Sequence, residues 1–171
     1  MVLSFPGAER APSQTDAVIV CALTIADAEG AAEVIRAAFA AQSRATTPPS
    51  SALRETTEAI AAKIAAGGGF GALEQGQLVA AALWQGDGDV MLIGRVSVLP
   101  EARGRGLSRR LIAACEAVAR ARSLLRMRLR ARLELPENER LFSRMGFQRL
   151  HVEAHAGFEA PTVAVMEKRL K

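Results

Sequence analysis

Apolar residues along the chain follow two different periods, and the switches between them mark the elements. Residues 17–23 form a short continuous apolar run that predicts a first strand. Thr24 and Asp27 then have the spacing of a capping box, and Ala31, Val34, Ile35, Ala38 and Phe39 recur at helical spacing, so a helix runs to about Gln42. Residues 45–51, rich in Pro, Ser and Thr, form a loop. Ile60 and Ile64 mark a second helix over about 57–66, with Thr56 or Thr57 as cap and Gly67, Gly68 and Gly69 as its stop. Residues 70–74 and 78–85 predict a hairpin across Gln75, Gly76 and Gln77.

The second half begins with a strand that is apolar on both parities: Val90, Leu92, Val96 and Val98 on one, Met91, Ile93 and Leu99 on the other. Such a strand belongs inside a sheet covered on both faces, and Pro100 ends it. From Leu107 the spacing becomes helical through Leu111, Cys115 and Val118, to about Ser123. Residues 125–133 alternate strictly, with Leu125, Met127, Leu129, Ala131 and Leu133 opposed to Arg126, Arg128, Arg130 and Arg132. This predicts a strand with one apolar and one arginine face, the latter a solvent-facing or carboxylate-paired surface; a subunit interface or a contact to a cofactor 3′-phosphate are the sharper alternatives. Pro136 opens a short helix that Gly146 closes, and residues 147–155 and 162–168 predict two last strands.

These elements make an α/β chain with a mixed, mostly antiparallel sheet. Residues 1–16 lack periodicity and are expected to be a loose tail, leaving 17–171 as a single domain. With 171 residues, half of them apolar, the chain can bury a proper core. Two cysteines, Cys21 and Cys115, provide no disulfide framework, which predicts a reducing cytoplasm. No apolar run is long enough for a membrane span, and no metal-ligand set stands out. A net charge of +4, concentrated in arginines between Arg95 and Arg149, raises nucleic acid as a partner. One Trp and no Tyr leave few platforms for stacking bases, so binding of an anionic cofactor or substrate explains the charge better.

The chemistry concentrates in Arg103-Gly104-Arg105-Gly106-Leu107-Ser108, between the central strand and its helix. Two glycines let backbone approach a ligand, the first helical N–H groups lack helical partners, and Arg103, Arg105 and Ser108 add charge and a hydroxyl. That combination is a cradle for a diphosphate. It is not a P-loop, because no Lys follows Gly106. Nor is it a dinucleotide fingerprint, since Arg109 stands at the third glycine and arginines occupy the place of the distal acid. It resembles the Arg/Gln-x-x-Gly-x-Gly/Ala signature of the GNAT acyl-coenzyme A transferases, with Ser108 at the last small position. Asn138-x-x-x-Phe142-x-x-x-Gly146-Phe147 is similar to the second signature of that family, and the element order from residue 17 matches as well.

The resemblance implies a GNAT-like fold in which parallel strands 90–99 and 125–133 splay apart, and an acetyl-coenzyme A-dependent N-acetyltransferase acting on a small-molecule or peptide amine by direct transfer. It further implies that the main chain of Val96, Ser97 and Val98 pairs with the pantetheine arm. Residues Arg103, Gly104, Arg105, Gly106, Leu107 and Ser108 would hold the diphosphate, with Asn138 and Phe142 beside the arm. Family members are often dimers, so a homodimer is expected. Phe142 stands where many members carry the Tyr that protonates the leaving thiolate, which keeps a coenzyme A-binding module without transferase activity as an alternative and an Arg-rich RNA-associated protein as a second. His155 and then Glu55 are the candidate bases, ahead of His151 and Glu153, because His155 begins the loop expected to overhang the acceptor.

Overall fold

In the computed structural model, which describes residues 17–171, seven strands share one sheet. They are β1 (Ile19–Ala22), β2 (Gly68–Glu74), β3 (Gln77–Asp87), β4 (Val90–Val98), β5 (Arg126–Arg132), β6 (Gln148–Glu153) and β7 (Val163–Arg169), arranged β1-β2-β3-β4-β5-β7-β6. Four α-helices are described: α1 (Ala28–Ala40), α2 (Thr57–Ala66), α3 (Leu107–Ala121) and α4 (Pro136–Ser143). The expected tail, residues 1–16, lies outside the described residues.

The helices sort onto the two faces by which apolar side chains they bury. Ala31, Ala32 and Ile35 of α1 and Ile60 and Ile64 of α2 pack with Ala81 and Leu83 of β3. On the opposite face, Ile112 and Cys115 of α3 and Phe142 of α4 pack with Met91, Ile93, Met127 and Leu129. Caps agree with the sequence reading: Thr24 N–H donates to the Asp27 carboxylate at 2.7 Å, and Thr56 Oγ1 accepts from Ala59 N–H at 3.2 Å. The first cap opens one turn of 3₁₀ helix at Ile25–Asp27 before α1 begins.

All strand pairs are antiparallel except β4–β5. That parallel pair is short, joining Val90–Leu92 to Arg126–Arg128, after which the two strands separate as expected. The glycine run 67–69 does more than end α2, because Gly68 and Gly69 already belong to β2. A Cβ on Gly68 would lie 2.5 Å from the Trp84 ring, so the run lets the β2 backbone pass directly against the indole.

One feature of β4 departs from the sequence reading. The register shifts between Ala81/Ser97 and Leu83/Gly94, a β-bulge, and Arg95 takes φ +55. The bulge reverses the parity of the strand. Leu92 shares the arginine face of β5 through its register with Arg128, whereas Val96 and Val98 join the opposite face with Ile93 or with α3. Grouping Leu92 with Val96 and Val98 is therefore incorrect. A regular two-residue period cannot anticipate an inserted residue that a side chain elsewhere holds in place.

Candidate active site

Beyond Leu92 and Arg128 the diverging strands leave a cleft of about 570 Å³. Ile93, Val96 and Val98 line one wall, Leu129 and Ala131 the other, and Asn138, Leu141 and Phe142 of α4 close the back. Phe142 is 8% exposed and meets Phe147 edge-to-face, with ring centroids 6.2 Å apart. No hydroxyl exists at that wall position.

At the mouth of the cleft the chain turns from β4 into α3. Gly104 and Gly106 take φ +75 and +73, and a Cβ built on either meets no atom within 4 Å. These two positions need glycine for backbone conformation, while the space beside them is open. The first α-helical bond is Arg110 N–H to Gly106 C=O at 3.1 Å, so Gly106, Leu107, Ser108 and Arg109 present N–H groups that the helix does not use. An anion is stabilised there by the donors and by the helix dipole. The open cradle and its free donors fit the diphosphate of coenzyme A.

The arginines of the turn serve a different purpose from the direct charge expected of them. Arg103 donates to the carbonyls of Ala38 (3.1 Å), Ala41 (3.0 Å) and Val98 (3.2 Å), tying the turn to the C-terminal end of α1. Arg105 is turned out of the cleft and forks onto Glu74 at 2.5 and 3.1 Å. Both guanidinium groups hold the loop in shape, Arg103 from the cleft lining and Arg105 from outside it. A second tie spans the cleft mouth, where Ser43 donates to Glu137 and the Thr47 N–H donates to Glu134 at 3.0 Å.

Val96, Ser97, Val98, Arg103, Gly104, Gly106, Leu107, Ser108, Asn138 and Phe142 thus come together around one cleft, while Arg105, Glu55 and His155 stand outside its lining. Glu55 is 5% exposed, and its carboxylate accepts from Lys63 Nζ at 2.7 Å and Arg95 Nε at 2.6 Å. Burial pushes its pKa up, but the hydrogen bonds and charges of Lys63 and Arg95 outweigh this and hold it below the ordinary value. Arg95 also donates to Ser51 Oγ at 2.9 Å, and the Arg95 carbonyl accepts from the buried Ser97 Oγ at 2.8 Å. Glu55 therefore clamps the bulge of β4. Nothing in the sequence links it to Arg95, 40 residues away.

His155 sits one side chain behind the cleft wall. Arg132 Nη1 lies 2.9 Å from its Nε2, and Thr162 Oγ1 lies 2.5 Å from its Nδ1. Burial, then the charges of Arg132 and Arg130, push the imidazole below its ordinary pKa. His151 and Glu153 pair with each other at 2.9 Å on β6, exposed. The arginine face of β5 is paired with carboxylates as expected: Arg126 with Asp89 at 2.6 Å, Arg128 with Glu167 at 2.7 Å and Arg130 with Glu153 at 3.0 Å.

The sequence model described as the acetyltransferase (GNAT) family matches residues 34–147, more than half of the chain. The chain belongs to the GNAT acetyltransferase family. No curated protein matches it in sequence. Solved structures share the fold: the PaiA N-acetyltransferase of Thermoplasma acidophilum, in complex with coenzyme A, superposes with a TM-score of 0.75 at 19% identity, covering 90% of this chain and 99% of that one. The ribosomal-protein-S18-alanine N-acetyltransferase of Escherichia coli gives 0.73 at 16% identity, with 90% and 94% covered. A GNAT acetyltransferase of Streptococcus pneumoniae gives 0.74 at 13%, with 91% and 100% covered. No described helix is long and apolar enough to cross a membrane.

Proposed function

We propose that this GNAT family member is an N-acetyltransferase that moves the acetyl group of acetyl-coenzyme A directly to a small-molecule or peptide amine, both bound at once, with residues 17–171 acting as one domain. The observation that carries this reading is the pairing of an open diphosphate cradle at α3 with a slot between β4 and β5 that leads away from it. Gly104, Gly106, Leu107 and Ser108 would bind the diphosphate through their main chain, and Val96–Val98 with Asn138 would bind the pantetheine arm. When bound, acetyl-coenzyme A supplies an activated thioester.

In this reading the amine nitrogen forms its bond to the thioester carbonyl carbon from the α1/α2 side, the C–S bond breaks, and the nitrogen gives up its proton. Phe142 offers no proton to the departing sulfur. A thiolate of ordinary pKa near 8.5 is a tolerable leaving group near neutral pH and takes its proton from solvent. A covalent cysteine intermediate has no support, because Cys115 is fully buried with its pKa pushed up to about 12, and Cys21 lies on β1. Two free cysteines fit a cytoplasmic setting, and exposed Leu150 and Val152 on the edge strand β6 give a homodimer an apolar surface.

The test is release of free thiol from acetyl-coenzyme A across a panel of amines. Intersecting initial-rate lines support a ternary complex, whereas parallel lines would overturn direct transfer. Coenzyme A binding without thiol release for any amine would instead favour a binding module. The carboxylate pairing of the β5 arginines leaves little free basic stripe for RNA.

His155 is the proposed proton acceptor, a role that requires Arg132 Nη1 to release the Nε2 it meets at 2.9 Å so that the ring's lone pair can face the cleft. His155→Ala should lower kcat by about 10²-fold, the lower part of the usual range for a positioned base, and remove the acidic limb of the kcat–pH profile. An unchanged profile would assign the proton to solvent.

A further inference from the structure

The two faces of the sheet divide the cleft electrically. Met127, Leu129 and Ala131 point into the core shared with α3 and α4, so the alternating arginines of β5 point to the other face, where α1 and α2 lie. Arg132 confirms the direction by donating to the Pro48 carbonyl, in the loop between α1 and α2. The cradle at the α3 N-terminus and the β5 arginines thus serve opposite ends of the slot, and the arginines lie where the second substrate enters.

Charges around the cleft as a whole are unequal. Arg95, Arg103, Arg130 and Arg132 line the cleft, against a single carboxylate, Glu137. Three of the four are committed: Arg95 to Glu55, Arg103 to three carbonyls, and Arg132 to Pro48 and His155. Arg130 differs. Its side chain is 54% exposed, and its contact is Glu153 at 3.0 Å, a carboxylate already shared with His151. A guanidinium carries five N–H donors in a planar fork, and a single contact from Nη2 to Glu153 Oε2 leaves most of them available.

Resting on the acetyl-transfer reading above, we propose that the acceptor is an aminocarboxylate, with Arg130 binding its carboxylate. The fork of Arg130 meets the carboxylate in two parallel hydrogen bonds, while the neighbouring Arg132 adds attraction without a free donor pair of its own. The same lining works against polyamines and polycationic amines, because like charges placed together in a partly desolvated cleft cost affinity. Free amino acids and similar small aminocarboxylates are the substrate class, whereas a protein N-terminus, with its carboxylate masked as an amide, lacks the recognised group.

Matched pairs test this: lysine against cadaverine, phenylalanine against phenethylamine, and histidine against histamine, each with acetyl-coenzyme A. The expected result is a kcat/KM at least 10-fold higher for the carboxylate-bearing member of some pair. In Arg130→Gln that ratio should collapse towards one, and in Arg169→Gln, at the exposed end of β7, it should persist. Calorimetry of the preferred amino acid with coenzyme A present should show the same loss of affinity in Arg130→Gln. Acetylation with cadaverine or histamine preferred would overturn the aminocarboxylate class while leaving the transferase reading intact. Coenzyme A binding that fails altogether would remove both.

Discussion

Glu55→Ala should destabilise the fold by about 3 kcal/mol, the low end of the range for removing one partner of a buried ion pair. The carboxylate is almost fully buried and bonded to two cations, so its loss leaves Lys63 and Arg95 facing an apolar gap. The cost stays near the low end because Lys63 and Arg95 keep 41% and 24% side-chain exposure and can recover some water. A second consequence follows for the cleft. Arg95 holds a left-handed backbone conformation that costs a non-glycine residue about 1–2 kcal/mol, and Glu55 is what secures its side chain. Without that clamp the bulge can relax, and the wall at Val96–Val98 shifts. Chemical denaturation of Glu55→Ala and Glu55→Gln would read the first effect, and the KM for acetyl-coenzyme A the second. The pH dependence has a definite sign. Because the folded pKa lies below the ordinary 4.5, the stabilisation is complete above that value and fades as pH falls through the folded pKa. Wild type and variant should converge in acid. A kcat–pH profile that loses its acidic limb in Glu55→Gln, with unchanged stability, would make Glu55 a base rather than a clamp.

Much of this architecture was legible because it rests on local rules. The two caps, the helix over 57–66, the alternation of β5 and the glycine turn all follow from side-chain chemistry within a few residues, and each is found where the pattern puts it. The arginine face was expected to be solvent-facing or carboxylate-paired, and three of its arginines meet carboxylates, from the β3–β4 turn, β7 and β6. What sequence could not show depends on distant partners. The bulge at Arg95 is set by Glu55 and Ser51, more than 40 residues apart from it for Ser51. The tie of Arg103 to carbonyls at the C-terminal end of α1 and the outward turn of Arg105 to Glu74 of β2 depend on such partners. An arginine beside a phosphate-like cradle reads as a phosphate ligand until the competing acceptor is seen. The same limit explains Glu55, whose position between a loop and a helix suggests a site although its carboxylate is spent on two cations.

Gly104→Glu and Gly106→Glu should each weaken acetyl-coenzyme A binding by on the order of 10² or more while leaving a folded protein. Neither side chain meets an obstacle inside the molecule, because no atom lies within 4 Å of the added Cβ. What the substitution adds is a carboxylate projecting into the open space in front of the α3 N-terminus. Two unit charges about 4 Å apart repel by about 4 kcal/mol at an effective dielectric of about 20, and each 1.4 kcal/mol is about tenfold in affinity. The new carboxylate also competes for the free N–H groups of Leu107 and Ser108, capping the helix that would otherwise grip the diphosphate. Backbone strain must be separated from charge, since both positions have positive φ. Gly106→Ala carries the strain alone and should lose about 1 kcal/mol of stability with a much smaller loss of affinity. Gly88→Glu, at the β3–β4 turn with φ +59 and equally open space, carries strain and charge away from the cleft and should bind normally. Titration calorimetry with acetyl-coenzyme A would give the order wild type and Gly88→Glu, then Gly106→Ala, then the two glutamates. Equal affinity across the series would move the diphosphate off the α3 N-terminus and take the functional reading of the turn with it.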